Sequence, residues 1–307
     1  MTTTADSLVD RVKTTVTMPN NQVLLTDARI LDLMNEEIDS ELVPIISSVN
    51  QNFFVALEEE ALTKDQEAYS IPYRSIGRSL RDLKITDGSS VRNMSEIPLE
   101  DAHLFRSQSL PQSFYFQGDK IIVVPAPNAT NLSLQKFYLL KPNNLVLLSS
   151  AGKVTGISGS VITLDSVPST FVTNATIDMI YGSQGNSLKA MDIAISGVSG
   201  NQVTVGSVPS APDALAVGDY LALSCETPVL QLPDEIVPLL VFRTAKRCLE
   251  ALGDYEGSTA LEKEILRKKK QFEKLIAPRS EGSSIKIMNR YGLLRGYRGR
   301  YTRGIIY

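Results

Sequence analysis

The residues able to do chemistry are sparse in this 307-residue chain, and their spacing works against most reactions. The single histidine, His103, stands two residues after Asp101 in "PLEDAHLF". Residues two apart on a helix do not face one another, and no activated nucleophile accompanies the pair, so an acid/base role for His103 is not expected. No glycine-rich loop precedes a Lys-Ser or Lys-Thr step, no G-x-G-x-x-G follows a strand, and the G-x-S-x-G pattern is absent. Cys225, Cys248 and His103 lie too far apart in sequence to suggest a zinc site, and two buried thiols suit a reducing compartment. Asp165, Asp178 and Asp219 lack the dense spacing of a calcium loop and read as turn and strand-end aspartates. The run "RKKK" at 267–270 wraps around a helix as a ring of charge, a solvated face. Catalysis is the least supported class, and no cofactor or metal is expected.

A different kind of chemistry sits at the end. The stretch "RYGLLRGYRGRYTRGIIY", residues 290–307, interleaves arginine, tyrosine and glycine, with no acidic residue after Glu281. Its glycine content and lack of apolar periodicity predict a segment that orders only on a partner. Its composition resembles Arg-Gly segments that bind nucleic acid, yet its aliphatic residues suit a protein groove, entered by strand addition. The candidate partner-binding residues are Tyr291, Leu293, Leu294, Arg295, Tyr297, Arg298, Arg300, Tyr301, Arg303, Ile305, Ile306 and Tyr307. Tyrosines would anchor in pockets and arginines would set rim contacts and register.

The remaining sequence must position that arm. With 43% hydrophobic residues the chain can bury a sizeable core. The first residues lack a basic region followed by an apolar run, and nowhere do about eighteen apolar residues run together, so the expectation is a protein neither secreted nor membrane-embedded. Charge is polarised. Between Asp27 and Glu67 the only bases are Arg29 and Lys64, whereas from Arg243 onward sixteen basic residues stand against seven acidic ones. Two readings follow: solvated helical faces, or surfaces that meet complementary ones, those of neighbouring copies included.

The spacing of Ile30, Leu33, Met34, Ile38 and Leu42 predicts an amphipathic helix capped by Thr26 or Asp27, and Pro44 disfavours a helical Val43. From 63 to 148, short β-branched and aromatic runs read as an antiparallel β region, with a hairpin at Gln117-Gly118-Asp119. "TGISGSVITLDSVPS" (155–169) then aligns on "SGVSGNQVTVGSVPS" (196–210), and the same 41-residue offset sets Asp178 against Asp219. Two copies are too few for a solenoid, so one small barrel or sandwich is expected. A helix capped by Asp234, with Pro238 in its first turn, is followed by one opened by a Thr259-x-x-Glu262 capping box, with Leu261, Ile265, Leu266, Phe272, Leu275 and Ile276 on its buried side. The expected fold is α+β: a helical segment (1–62), a central antiparallel β region (63–148), a β module of two repeats (149–228), a helical hairpin packing back on the N-terminal helices (229–278) and an extended basic, aromatic arm (279–307).

The acidic helix, "AYSIPYRSI", "YFQGDKIIVVPAPN", "LSLQKFYLLKPNNLV", "LPDEIVPLLVFRTAKRCLEALGD" and the extended arm together resemble tailed-phage head-to-tail connector (adaptor) proteins. The resemblance implies a virion structural protein made in the host cytoplasm and placed at the neck. It would form a homo-oligomeric ring, dodecameric in that family, below the portal, with the C-terminal arm docking on portal subunits. Tail or nozzle proteins and fibres would be neighbours, and DNA would pass through the lumen without sequence-specific recognition. The β module departs from the smallest adaptors. Two alternatives remain open at this stage: a tail or baseplate ring component docking fibres through the β module, and a nucleic-acid-binding protein using the Arg/Tyr/Gly tail.

Overall fold

A computed structural model describes residues 3–17, 24–105, 110–128, 131–182, 188–210 and 213–276. The arm, with all twelve of its candidate partner-binding residues, lies outside the described residues. Along the chain run helices α1 (Ala5–Val16), α2 (Asp27–Glu37) and α3 (Val43–Val49), then strands β1 (Val55–Ala61), β2 (Ala68–Ser70), β3 (Ser75–Thr86), β4 (Val91–Asn93) and β5 (Ser95–Glu96). Helix α4 (Ala102–Phe105) precedes β6 (Ser113–Gln117), β7 (Lys120–Val124), β8 (Ser133–Leu140) and β9 (Asn144–Leu145). The strands β10 (Gly152–Ser158), β11 (Val161–Leu164), β12 (Thr176–Ile180), β13 (Leu188–Ser199), β14 (Gln202–Val205), β15 (Tyr220–Leu223) and β16 (Glu226–Thr227) follow, and α5 (Val237–Leu252) and α6 (Tyr255–Ile276) end the described chain.

The helices share one core. Leu8, Val9 and Val12 of α1 meet Ile30 and Met34 of α2, Leu240 and Cys248 of α5, and Ile265 and Phe272 of α6. Burial pushes the Cys248 thiol up to about 11, so it behaves as a small apolar side chain. Helix α1 was not legible in "TADSLVDRVKTTV" as an amphipathic stripe among so many threonines. Its Thr4 cap, which accepts from the Ser7 N–H at 3.4 Å, starts it. Three sequence expectations change here. Val43 is helical (φ −60°, ψ −48°), because a π-helical turn over Ile38–Leu42 widens the helix ahead of Pro44 and absorbs the missing donor. Asp234 caps nothing; it begins a short 3₁₀ turn, Asp234–Ile236, that runs into α5. The capping box at Thr259 is not used either. Helix α6 begins a turn earlier, where Asp254 accepts the Gly257 N–H (2.9 Å), and the Thr259 hydroxyl back-bonds to the Tyr255 carbonyl. Leu266 (55% exposed) and Leu275 (61%) fall about 80–100° around the helix from the buried Ile265 and so lie on the outside of the hairpin.

The central region is a sandwich of two four-stranded sheets, ordered β1-β8-β3-β4 and β2-β7-β6-β5. Leu83, Ile85 and Leu134 of the first pack on Tyr69, Phe114, Ile121 and Val123 of the second. The second sheet's other face, Tyr115, Ile122 and Val124, is covered by α4 through Ala102 and Phe105. That double burial explains the unbroken apolar run "IIVV" in β7. The hairpin between β6 and β7 turns at Gly118 and Asp119, with Gly118 at φ +60°. Residues 55–61, placed in the N-terminal helical segment by sequence, form strand β1 instead. Their pairing with β8 overrides the helix propensity of "ALEEEA".

Strands β10 to β15 close a six-stranded barrel in the order β10-β11-β14-β13-β12-β15. Ile162 pairs with Val203, the residue 41 positions on, so β11 and β14 meet about a local two-fold. Corresponding details recur at the same offset. Thr155 Oγ1 donates to the Thr163 carbonyl (3.1 Å) and Ser196 Oγ to that of Thr204 (3.0 Å). Gly159 and Gly200 both turn at positive φ, 59° and 56°.

The barrel joins the body through two segments that run side by side, since β9 and β16 pair in parallel. Asn35 of α2 pins this ribbon to the helices. Its Nδ2 donates to the Leu145 carbonyl (3.1 Å) and its Oδ1 accepts the Leu145 N–H (2.8 Å). Replacing Asn35 by Ala strands both backbone groups, and an expected loss of about 1–3 kcal/mol should be measurable by urea unfolding.

Candidate functional site

A buried polar cluster is built where barrel, sandwich and connecting ribbon meet. Pro72 ends the run "AYSIP" and starts a turn that the Ser75 N–H closes on the Pro72 carbonyl (3.0 Å), raising Tyr73 and Arg74 toward the barrel. Arg74 is 5% exposed, and Asp178, in the middle of β12, is fully buried. The two form a bidentate pair, with Nη1 to Oδ2 at 2.7 Å and Nη2 to Oδ1 at 2.8 Å. Asp178 also accepts from Asn143 Nδ2 (2.6 Å), the Asp192 N–H (3.0 Å) and the Cys225 N–H (3.2 Å). Five donors saturate one carboxylate, the condition under which a buried charge is tolerated.

Asp192 enters by a backbone irregularity. The β12–β13 register shifts between Met179 and Ile177, and Asp192 lies in the left-handed region at φ 57°. This bulge turns its carboxylate toward Arg74. Asp192 Oδ1 receives Arg74 Nη2, the Tyr73 hydroxyl and the Ser224 hydroxyl, each at 2.6 Å. Although desolvation acts the other way, the hydrogen bonds from Ser224 and Tyr73 and the Arg74 charge hold the Asp192 carboxyl below its ordinary range. For Arg74, burial opposes the charge, but hydrogen bonds to Asp178 and Tyr73 outweigh it and raise the guanidinium further. Gln231 joins the set, its Oε1 accepting the Asn143 backbone N–H (2.8 Å).

Asp219, the sequence counterpart of Asp178, stands at the turn just before β15 and is likewise buried. It takes the Gly182 N–H (3.0 Å), the Ala216 N–H (2.7 Å) and Lys189 Nζ (2.6 Å). The acidic and basic ends of the chain meet each other. Arg243 of α5 bonds Glu37 and reaches Glu41 (3.0 Å), while Arg247 bonds Glu37 and Glu36 (2.6 Å). These α2–α5 charges therefore pair within one chain. His103 lies exposed on the 99–105 helical stretch with Nδ1 2.8 Å from the Glu100 carbonyl, away from these clusters.

The Arg74 and Asp178 side chains are held by several partners each, which suits clamping. Sequence reasoning missed this junction; its available signal was an aspartate inside the apolar strand "TIDMI", with nothing to name Arg74 as partner. Arg74→Ala leaves a buried uncompensated carboxylate, and a loss of about 3–5 kcal/mol is expected in denaturant unfolding. The lowered Asp192 value makes its stabilisation complete above the ordinary carboxylate range and lost as pH falls through the folded-state value. Acid titration of the melting temperature should therefore be shallower in Asp192→Asn. No family model matches the chain, and no curated protein is significantly similar to it.

Proposed function

We propose that this chain is a virion structural protein, a head-to-tail adaptor that forms a ring below a phage portal, with its C-terminal arm as the clamp on portal subunits. The observation that carries the reading is the helical body. Helices from both ends of the chain share one core, and α6 runs out of that core into the arm. A rigid body with an extended basic, aromatic tail is the form expected of a part that docks and then orders. Residues 277–307 can span about 100 Å when extended, enough to cross onto a neighbouring subunit.

The charged groups buried at the junction and at the α2–α5 interface are engaged with one another, which favours a scaffold over a reaction centre. With the α2 and α5 charges paired inside the chain, ring contacts must use other surfaces. The exposed apolar residues Tyr255, Leu266 and Leu275 of α6 offer one. In this reading the inserted barrel faces tail or nozzle proteins, or fibres, and DNA passes through the lumen without base readout. No helix among the described residues is long and apolar enough to cross a membrane.

Light scattering of the protein mixed with isolated portal rings tests the clamp. The full-length chain is expected to form a stoichiometric complex, and a chain ending at Glu281 is expected to fail. If neither chain binds, the portal assignment falls.

A further inference from the structure

Strand β1 lies at the edge of its sheet and, at seven residues, is the longest edge of the sandwich; β2 and β4 have three residues each and β5 has two. Its open side can be assigned residue by residue. The Phe54 carbonyl accepts the Leu140 N–H (2.7 Å), and the Leu62 N–H donates to the Leu132 carbonyl (2.8 Å). Antiparallel alternation then directs the backbone of Ala56, Glu58 and Glu60 to β8 and that of Leu57, Glu59 and Ala61 outward. Among the described residues nothing bonds those outward N–H and C=O groups.

Two further features say what the edge accepts. Lys136, fully buried on β8, pairs with Glu58 (3.0 Å) and Glu60 (2.5 Å), whereas Glu59 has no ion pair among the described residues. Two β1 strands brought together would oppose their glutamate runs, which disfavours edge-to-edge pairing of like strands and favours a basic one. At the N-terminal end of the edge, a cleft of about 290 Å³ opens between Phe53, Val55 and the barrel residues Leu188 and Met191. Gln231 also lines this cleft, and its buried Nε2 has no partner among the described residues.

We infer that the open edge of β1 receives residues 284–290 of a second copy of this chain as an added antiparallel strand. That segment, "SIKIMNR", sets β-branched Ile285 and Ile287 on either side of Lys286 and carries Arg290 four residues on. Setting Lys286 opposite Glu59 places Met288 against Leu57 and matches the segment to the whole of Val55–Ala61. The chain then leaves with Tyr291 at the mouth of the apolar cleft. Residues 277–283 can span about 23 Å, a bridge to an adjoining copy. The contact links copies to one another and does not depend on the portal; residues from Arg295 onward stay available for another partner.

Charge-swapped full-length chains test this in sedimentation velocity. Glu59 is exposed and its N–H points outward, so Glu59→Lys and Lys286→Glu should both melt as the parent does. Each alone should weaken self-association by about tenfold or more. An equimolar mixture should regain assembly, because the edge of the Glu59→Lys chain, now basic, accepts the now acidic arm of the Lys286→Glu chain. Glu59→Pro, which removes an outward N–H without breaking the β8 ladder, should weaken association in the same way. The proposal is overturned by a parent chain that stays monomeric at its highest soluble concentration, by single variants that associate like the parent, or by a mixture that fails to rescue. Hydrogen-exchange protection of 284–290 in a dilute monomer would overturn it too, since the strand would then close within one chain.

Discussion

The bidentate pair between Arg74 and Asp178 is the constraint on which the arrangement of this protein depends. Asp178 belongs to the barrel and Arg74 to the sandwich, and neither charge could stay buried without the other. A covalent path alone would leave the barrel free on two short segments. The pair, with Asn143, Asp192 and Ser224 around it, fixes the direction in which the barrel stands. Low local polarity strengthens each of these bonds and raises the cost of breaking any one. In the sandwich nearby, burial and Glu58 push the Tyr138 phenol up to about 12, and the Arg74 charge opposes that rise.

A second set of charges performs a similar task at the other end. Glu36, Glu37 and Glu41 on the first half of the chain hold Arg243 and Arg247 on the second, so helices distant in sequence close one body around a shared apolar core. Asn35 then ties that body to the ribbon carrying the barrel. Helices, sandwich and barrel are thus joined by buried or half-buried polar contacts, each with specific geometry. Under the proposed adaptor function, transmitting position from one ring to another would rely on this kind of definition.

Legibility in the sequence followed the range of the forces involved. Elements set by local periodicity were readable: the apolar stripe of α2, the β6–β7 hairpin at Gly118, the 41-residue recurrence that the barrel pairs at Ile162 and Val203. Elements set by distant partners were not. Strand β1 has a helix-favouring composition and becomes a strand only because β8 pairs with it. Pro44 reads as a break or a kink in the helix, and a π turn is what lets the chain continue past it. Asp178 is conspicuous as a residue yet reads as a strand end, because its burial depends on Arg74, 104 residues away. Leu266 and Leu275 read with the apolar face, but they lie about 80–100° around the helix from Ile265, beyond the stripe that packing buries. The charge polarity was legible, but its destination was not: composition cannot distinguish a partner in the same chain from one in the next copy.

Electron cryomicroscopy of the virion neck, with this protein located by its six-stranded barrel, tests the central claim most directly. The account predicts a ring of copies directly below the portal, with the helical bodies forming the wall and continuous density leading from the end of α6 onto a portal subunit. A barrel found on isolated subunits elsewhere in the particle, or in no particle at all, would contradict it.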